Sequence, residues 1–176
     1  MDRDGTLNPD LHYLKEAERL ELFRGVGEAL ALARAHGFVV LCVTNQSGIR
    51  RGFYTASDVE RIHERLNRLL APHRAQVDAF YYCPHAPDEG CRCRKPGTEL
   101  FERARADFGV EFAQSAIIGD RALDIQAGRA LGMLTALAIP PGHHAESGQE
   151  LATHGLAPDV VTDSFRSAVL RVLALG

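Results

Sequence analysis

The stretch FVVLCVTNQSG occupies residues 38–48 and joins an unbroken apolar run to a polar turn. The apolar part, residues 38–43, is typical of a strand that is covered on both faces, as the strands of parallel sheets are. Before this run, apolar residues recur at helical spacing from Gly25 to His36, and Gly37 supplies a stop. This part of the sequence therefore predicts a helix, a buried strand and a polar turn where the strand ends.

The rest of the chain repeats this alternation of helix and strand. A capping-box pattern at residues 55–58 begins a second helix, and residues 79–83 form the next short strand. Further helices are predicted over 98–108, up to Leu131 and over 164–175, with strands over 116–119, 135–139 and 160–161 and a polar loop over 140–148. The pattern predicts an α/β fold with a doubly wound, Rossmann-like parallel sheet and helices on both faces. In such folds ligands bind at the carboxyl ends of the strands.

Length, composition and charge limit the class of protein. A chain of 176 residues with 45% apolar content is long enough for one core, and we expect a single domain over residues 1–176. The net charge of −3, with scattered basic residues, predicts no nucleic-acid partner. The sequence has no apolar stretch long enough for a membrane span and no signal peptide, which predicts a cytoplasmic protein without a membrane partner. We also expect a monomer, because no extended apolar helix face is left over for a partner.

Two carboxylates flank an arginine in the sequence DRDGT at residues 2–6. A carboxylate can attack phosphorus and form an aspartyl-phosphate, while a second carboxyl protonates the leaving oxygen and later activates water. In that interpretation Asp2 is the nucleophile and Asp4 is the acid/base. The motif alone is equally typical of an Asp-rich turn or a cation-binding loop, so the choice depends on the rest of the chain.

Three further groups of polar residues follow predicted strands. Thr44 and its neighbours offer hydroxyl, amide and backbone donors to phosphate oxygens, although such a sequence is also typical of a plain turn. Arg94 and Lys95 precede a helix N-terminus, which attracts anions, and a solvated charge pair is the alternative there. Asp120 and Asp124 lie one helical turn apart and can approach one Mg²⁺, although Asp at a helix start is also an ordinary cap.

A second constellation consists of three cysteines and a histidine, Cys83, His85, Cys91 and Cys93. Their spacing, C-x-H and C-x-C across a short loop, can close a tetrahedral Zn²⁺ site that has no open position for substrate. The sequence therefore predicts a structural zinc in a loop over residues 83–93. A chance group of surface residues is the alternative, and it is disfavoured because exposed free thiols oxidise.

In this order along the chain, these elements resemble the haloacid dehalogenase superfamily of phosphotransferases. The resemblance implies in-line attack on a phosphate monoester, with cations stabilising the equatorial oxygens. The catalytic residues that it implies are Asp2, Asp4, Thr44 and Lys95. The Mg²⁺ ligands that it implies are the Asp2 carboxylate, the Asp4 backbone carbonyl and Asp120, with Asp124 as a supporting acid.

The sequence of the zinc loop narrows the resemblance from the superfamily to one family within it. DRDGT, VTNQSGI, YYCPH, CRCRKP and IGD together are similar to the family of D-glycero-D-manno-heptose 1,7-bisphosphate phosphatases and histidinol-phosphate phosphatases. This resemblance implies a small phosphorylated substrate, no large cap domain, and a zinc loop that shapes the substrate pocket. It also implies substrate contacts by Asp10, Leu11, His12, Tyr13, Thr44, Asn45, Gln46, Ser47, Arg51, Arg94 and Arg121.

The activity implied by the resemblance is Mg²⁺-dependent removal of the C7 phosphate from D-glycero-D-manno-heptose 1,7-bisphosphate. Histidinol-phosphate phosphatase activity is the alternative within the same family. A bisphosphate needs a second anion site, and Arg51, Arg94 and Arg121 can supply one, which favours the bisphosphate. A non-catalytic, zinc-stabilised domain is a third interpretation, against which stands the presence of both an attacking carboxylate and an acid/base.

The position of DRDGT conflicts with the expected fold in one respect. In this superfamily the nucleophile ends the first, central strand, whereas here only Met1 precedes Asp2. Four buried strand residues contribute on the order of 6 to 12 kcal/mol, which is as much as the whole stability of a typical domain. We therefore expect that the first central strand is missing from this sequence and that a few upstream apolar residues belong to the functional protein.

Overall fold

The computed structural model describes residues 1–141, 147–153 and 155–175, and within them the strands are parallel. One sheet pairs β1 (Leu41–Asn45) with β2 (Ala79–Cys83). In the other, β4 (Leu134–Ala138) lies between β3 (Ala116–Gly119) and β5 (Val160–Thr162). The helices are α1 (Val26–Ala35), α2 (Ala56–Leu70), α3 (Glu99–Phe108), α4 (Ala122–Ala130), α5 (Ser147–Thr153) and α6 (Phe165–Leu175).

Consecutive strand residues point to opposite faces of a sheet, and helices cover both faces. Ile118 of β3 enters a core that holds apolar residues of α1, α2 and α6, such as Leu30, Ile62 and Phe165. Its neighbour Ile117 enters a second core with residues of α3 and α4. The predicted α/β class, a parallel sheet with helices on both faces, is confirmed.

The two sheets meet at the first two residues of the chain. The Met1 amino group donates to the Leu41 carbonyl over 2.9 Å, and the Val43 amide donates to the Met1 carbonyl over 2.9 Å. The Asp2 amide donates to the Ile118 carbonyl over 3.0 Å. Met1 and Asp2 therefore take the position of a strand end between β1 and β3, and Asp2 lies at the carboxyl ends of both.

On the side of Met1 that faces away from Asp2, an apolar groove separates β1 from β3. The groove has a volume of about 450 Å³ and is lined by both sheets and by helices of both layers. Its walls include Val40, Phe101, Ile117 and Phe165.

Most predicted elements are confirmed to within about two residues, with two differences. The strand predicted over 38–43 is observed over Leu41–Asn45. It begins three residues later because pairing with β2 starts only at Leu41, while Phe38 and Val39 are exposed at the groove. The short helix α5 was not predicted, since its seven residues are mostly polar. Of the loop predicted over 140–148, residues 142–146 lie outside the described residues. In the part of the chain that is described, no helix has the length and apolar character to cross a membrane.

Candidate active site

A pocket of about 250 Å³ lies at the carboxyl ends of the strands. All four predicted catalytic residues line it, namely Asp2, Asp4, Thr44 and Lys95. Most predicted substrate contacts also line it, namely Asp10, His12, Tyr13, Asn45, Gln46, Ser47, Arg94 and Arg121. The structure therefore brings together residues that lie more than a hundred positions apart in the sequence.

Lys95 is the buried cation of this pocket, with 2% of its surface exposed. Its Nζ lies 2.6 Å from Asp124 Oδ1 and 3.0 Å from Asp2 Oδ1, and it donates to the Val43 carbonyl over 2.7 Å. Burial lowers the pKa of Lys95, but the two carboxylates outweigh burial and the pKa is raised. Lys95 is therefore a fixed positive charge beside the predicted nucleophile.

Asn45 holds the backbone of Lys95 in place. The Lys95 amide donates to Asn45 Oδ1 over 3.0 Å, and Asn45 Nδ2 donates to the Lys95 carbonyl over 3.3 Å. Because Asn45 is the last residue of β1, this pair ties the loop before α3 to a strand end. In this way Lys95, which is 93 positions from Asp2 in the sequence, is held next to Asp2 in the structure.

Asp4 is surrounded by hydrogen-bond donors. Arg3 binds both of its oxygens, with Nε 3.1 Å from Oδ1 and Nη2 2.7 Å from Oδ2. Asn8 donates to Oδ1 over 3.0 Å and Gln46 to Oδ2 over 2.9 Å. Burial alone raises the pKa of Asp4, but Arg3 and these hydrogen bonds lower it below its usual value. Asp4 is therefore held as a carboxylate.

Arg3 is itself buried, with 1% of its surface exposed, and it reaches a neutral histidine. Its Nη1 lies 3.3 Å from Nε2 of His63, whose ring stacks on Phe80. Burial first, and then the charge of Arg3, lower the pKa of His63 to about 3. Since arginine only donates, His63 Nε2 accepts this hydrogen bond. The bond holds the Arg3 guanidinium in its position beside Asp4.

Asp120 completes an acidic cluster behind the pocket. One oxygen of Asp120 lies within 4.8 Å of an oxygen of Asp2 and of Asp124. Burial, and then the charges of Asp2 and Asp124, raise the pKa of Asp120 to about 8. The Thr6 hydroxyl donates to Asp120 Oδ1 over 2.7 Å, and Gly5 passes so close, with φ +81°, that a Cβ there would collide with this carboxylate.

The acidic cluster fits a divalent cation. Its donors are carboxylate oxygens, which Mg²⁺ prefers, and their mutual repulsion is relieved by a bound positive charge. Both oxygens of Asp124 accept bonds from the protein, Oδ1 from Lys95 and Oδ2 from the Arg121 amide over 3.2 Å. This arrangement favours Asp2 and Asp120 as ligands and supports the predicted supporting position of Asp124.

The four predicted zinc ligands also lie together. The Sγ atoms of Cys83, Cys91 and Cys93 are 3.1 to 3.5 Å apart, and His85 Nδ1 lies 3.2 Å from Cys93 Sγ. Three sulfur atoms and an imidazole nitrogen are a donor set that suits Zn²⁺. The backbone N–H of Gln46, a residue that lines the pocket, donates to the backbone carbonyl of Cys83 over 2.7 Å. This hydrogen bond joins the loop to the pocket.

Two predicted substrate contacts do not line the pocket. Leu11 is 42% exposed, and Arg51 donates to the Tyr13 hydroxyl over 2.8 Å and lies over the ring of that tyrosine. Three residues that line the pocket were not predicted, namely Leu14, Tyr54 and Leu123. No motif of the sequence marks these three residues.

Comparison with known proteins agrees with this geometry. The HAD-hydrolase-like family model matches residues 92–168. D-glycero-D-manno-heptose-1,7-bisphosphate 7-phosphatase of Chlorobaculum tepidum is 38% identical over 182 residues, covering 96% of this chain and 90% of the relative. The D-glycero-beta-D-manno-heptose-1,7-bisphosphate 7-phosphatase of Escherichia coli O6:H1 is 34% identical over 168 residues, covering 89% of this chain and 88% of the relative.

A solved structure has the same fold over nearly the whole chain. The D,D-heptose 1.7-bisphosphate phosphatase of B. bronchiseptica, solved with magnesium and phosphate, superposes with a TM-score of 0.85 at 28% identity, covering 99% of this chain and 97% of that one. The corresponding enzyme of Burkholderia thailandensis superposes with a TM-score of 0.70 at 27% identity, covering 98% of this chain and 96% of that one. The chain therefore belongs to the haloacid dehalogenase-like hydrolases, in the family of the heptose-bisphosphate phosphatases, and it is a phosphatase.

Proposed function

We propose that this phosphatase removes the C7 phosphate of D-glycero-D-manno-heptose 1,7-bisphosphate through an aspartyl-phosphate on Asp2. The observation that carries the proposal is the convergence of Asp2, Asp4, Thr44 and Lys95 on one pocket beside an acidic cluster. The names of the curated relatives support the choice of substrate.

In the first half of the proposed reaction, a carboxylate oxygen of Asp2 attacks phosphorus. The ester P–O bond breaks, and its electron pair leaves with the sugar oxygen, which takes a proton from Asp4. Thr44 and Lys95 bind the equatorial phosphate oxygens. The Asp2 and Asp120 carboxylates and the Asp4 backbone carbonyl would hold Mg²⁺, which would supply positive charge to offset the charge of the phosphate.

In the second half, water attacks the phosphorus of the aspartyl-phosphate and gives its proton to the Asp4 carboxylate. The bond between phosphorus and Asp2 breaks, which restores the carboxylate and releases inorganic phosphate. The resting state of Asp4, held ionised by Arg3, is the form that accepts this proton. Binding of an anionic substrate next to Asp4 raises its affinity for a proton, which favours the acid form needed in the first half.

The second phosphate of the substrate is assigned to arginines at the edge of the pocket. Arg94 is half-buried between the zinc loop and Lys95, and its Nη1 lies 3.4 Å from the His85 carbonyl. Arg121 also lines the pocket and forms an ion pair with Glu150 over 3.4 Å. Two cations that line the same pocket as the nucleophile suit a substrate with a phosphate at each end.

The same proposal includes a structural Zn²⁺ held by Cys83, His85, Cys91 and Cys93. A zinc ion there would fix the loop that carries Arg94 and Lys95, since these residues directly follow the last cysteine ligand. It also includes a cytoplasmic location, where clustered thiols stay reduced, and a monomeric state, which sedimentation of the purified protein measures directly.

Phosphate release in the presence of Mg²⁺ tests this function. The wild-type chain is compared on heptose 1,7-bisphosphate, heptose 1-phosphate and histidinol phosphate, with Asp2→Asn as the inactive, nearly isosteric control. We expect a clear preference for the bisphosphate and release of one phosphate per molecule. A preference for histidinol phosphate would refute the substrate and keep the chemistry, whereas equal turnover by Asp2→Asn would refute the nucleophile.

A further inference from the structure

Gln46 and Tyr54 form a buried chain of hydrogen bonds in the wall of the pocket. The Tyr54 hydroxyl donates to Gln46 Oε1 over 2.6 Å. Gln46 Nε2 donates to Asp4 Oδ2 over 2.9 Å and to Thr44 Oγ1 over 3.0 Å. Only 2% of Gln46 and 6% of Tyr54 are exposed. The chain therefore connects a tyrosine with two residues to which the proposed mechanism gives a direct role.

Every polar group of the Gln46 side chain is engaged in this arrangement. A carboxamide has two N–H donors and one carbonyl oxygen. The donors face Asp4 and Thr44, and the oxygen accepts from Tyr54. The backbone amide of Gln46 is engaged as well, with the carbonyl of Cys83. Gln46 thus has no N–H left to offer a substrate, although it lines the pocket.

Asp4 and Tyr54 together fix the orientation of the Gln46 carboxamide. Burial raises the pKa of Tyr54 to about 12, so its hydroxyl remains a donor and pairs with the oxygen of Gln46. The amide nitrogen is thereby turned toward the carboxylate of Asp4, which only accepts. The tyrosine ring is itself held tightly, because a Cβ on Gly48 would collide with it.

The orientation of Gln46 also sets the direction of the Thr44 hydroxyl. Because Thr44 Oγ1 accepts a hydrogen bond from Gln46, its own proton is available to donate elsewhere. Thr44 lies at the end of β1, 1% exposed, and lines the pocket that holds Asp2. A donor fixed in this direction suits a phosphate oxygen.

We propose that Gln46 is a positioning residue for phosphate ester hydrolysis, and that Tyr54 acts through it. Gln46 holds Asp4 and directs the hydroxyl of Thr44, and Tyr54 keeps the carboxamide in the required orientation. The proposal rests on the proposed function for the roles of Asp4 and Thr44. It assigns to Gln46 a role other than the substrate contact that the family resemblance implies.

A double-mutant cycle on kcat tests the proposal, with p-nitrophenyl phosphate as the substrate and saturating Mg²⁺. The variants are Tyr54→Phe, Gln46→Met and the double variant. The matched control is Tyr81→Phe, because Tyr81 is also buried and donates to Asp107 over 2.7 Å, yet it does not line the pocket. Unfolding midpoints of all variants show whether each protein is folded.

We expect Tyr54→Phe to lower kcat about tenfold, with a smaller effect on KM, and Gln46→Met to lower it about a hundredfold. The double variant should equal Gln46→Met, because Tyr54 has nothing to act on once the carboxamide is gone. Effects of Tyr54→Phe and Gln46→Met that multiply would overturn the proposal. A Tyr54→Phe variant as active as Tyr81→Phe would overturn it too.

A second comparison decides the matter if Gln46→Met does not fold. An alkyl phosphate needs a proton from Asp4 to release its alcohol, whereas p-nitrophenolate leaves with little help. Tyr54→Phe should therefore slow the alkyl phosphate more than the aryl phosphate, and an equal loss on both would contradict positioning of Asp4. Wild-type protein that hydrolyses p-nitrophenyl phosphate but not the heptose bisphosphate refutes only the proposed substrate.

Discussion

Lys95→Met removes the buried positive charge at the centre of the site and keeps a side chain of similar length. In the wild type, Lys95 Nζ pairs with Asp124 over 2.6 Å and with Asp2 over 3.0 Å. Without it, three carboxylates within 4.8 Å of one another, those of Asp2, Asp120 and Asp124, lose their nearest cation. The substitution therefore perturbs both the stability of the fold and the charge that faces the substrate phosphate.

Removal of one partner from a buried ion pair costs about 3 to 5 kcal/mol in the free energy of unfolding. Lys95 and Asp124 are 2% and 1% exposed, so solvent screening does not reduce this estimate. A bound divalent cation supplies the missing positive charge, and we expect saturating Mg²⁺ to restore a large part of the loss. We expect kcat to fall about a hundredfold to a thousandfold even then, because Mg²⁺ does not replace the Lys95 donor on the phosphate.

Urea unfolding of the wild type, Lys95→Met and Lys15→Met, each with and without Mg²⁺, measures these effects. Lys15 is the matched control because it is the other lysine of the chain and is exposed. Lys15→Met should stay within about 0.5 kcal/mol of the wild type, as surface substitutions usually do. The reasoning fails if Lys95→Met loses less than about 1 kcal/mol without Mg²⁺, or if Mg²⁺ stabilises it no more than it stabilises the wild type.

Three other predictions concern the metal sites and the groove. The folded-state pKa of Asp120, about 8, lies above its unfolded value of 3.8, so the folded protein binds more protons between these values. The stability of the folded protein without Mg²⁺ should fall as pH rises from 5 to 9, by up to about 4 kcal/mol, and a flat urea midpoint would contradict this. Cys91→Ser should lower bound zinc, measured by atomic absorption, from one per chain to well below one, with Cys42→Ser as the control that retains it. An extension of four apolar residues before Met1 should fill the groove and raise the free energy of unfolding by several kcal/mol, roughly 1.5 kcal/mol per buried residue, whereas four serines should not.

The parts of the fold that the sequence predicted well are those with strong local patterns. The capping box at Thr55 and Asp58 is present, with the Thr55 side chain accepting from the Asp58 amide. The strand over residues 79–83 is observed at the predicted bounds, because a short apolar run between polar turns has few alternatives. The predicted metal ligands also lie together, since they follow strand ends that a parallel sheet brings to one edge.

The hydrogen-bond network beneath the site could not be predicted. His63 and Tyr54 belong to no motif, and Arg3 has no assigned role within DRDGT. Their contacts join segments that are 8 to 60 residues apart in the sequence. His63 belongs to an amphipathic helix, where its spacing is that of an ordinary core position. Only the packing of that helix against the first loop shows that the ring accepts a hydrogen bond from Arg3. The division into two sheets could not be predicted either, because it depends on the backbone hydrogen bonds of Met1 with β1 and of Asp2 with β3.

The position of Asp2, the proposed nucleophile, depends on the junction of the two sheets. Asp2 receives its position from a hydrogen bond to β3, and the preceding residue receives its position from two hydrogen bonds to β1. Any movement of one sheet relative to the other therefore displaces the attacking oxygen from Lys95 and from the acidic cluster. Catalytic activity should disappear at lower denaturant concentration than the helical circular dichroism signal, because each half can keep its helices after the junction has opened. Turnover in this protein thus reports on the alignment of its two halves, and not only on the groups that meet the substrate.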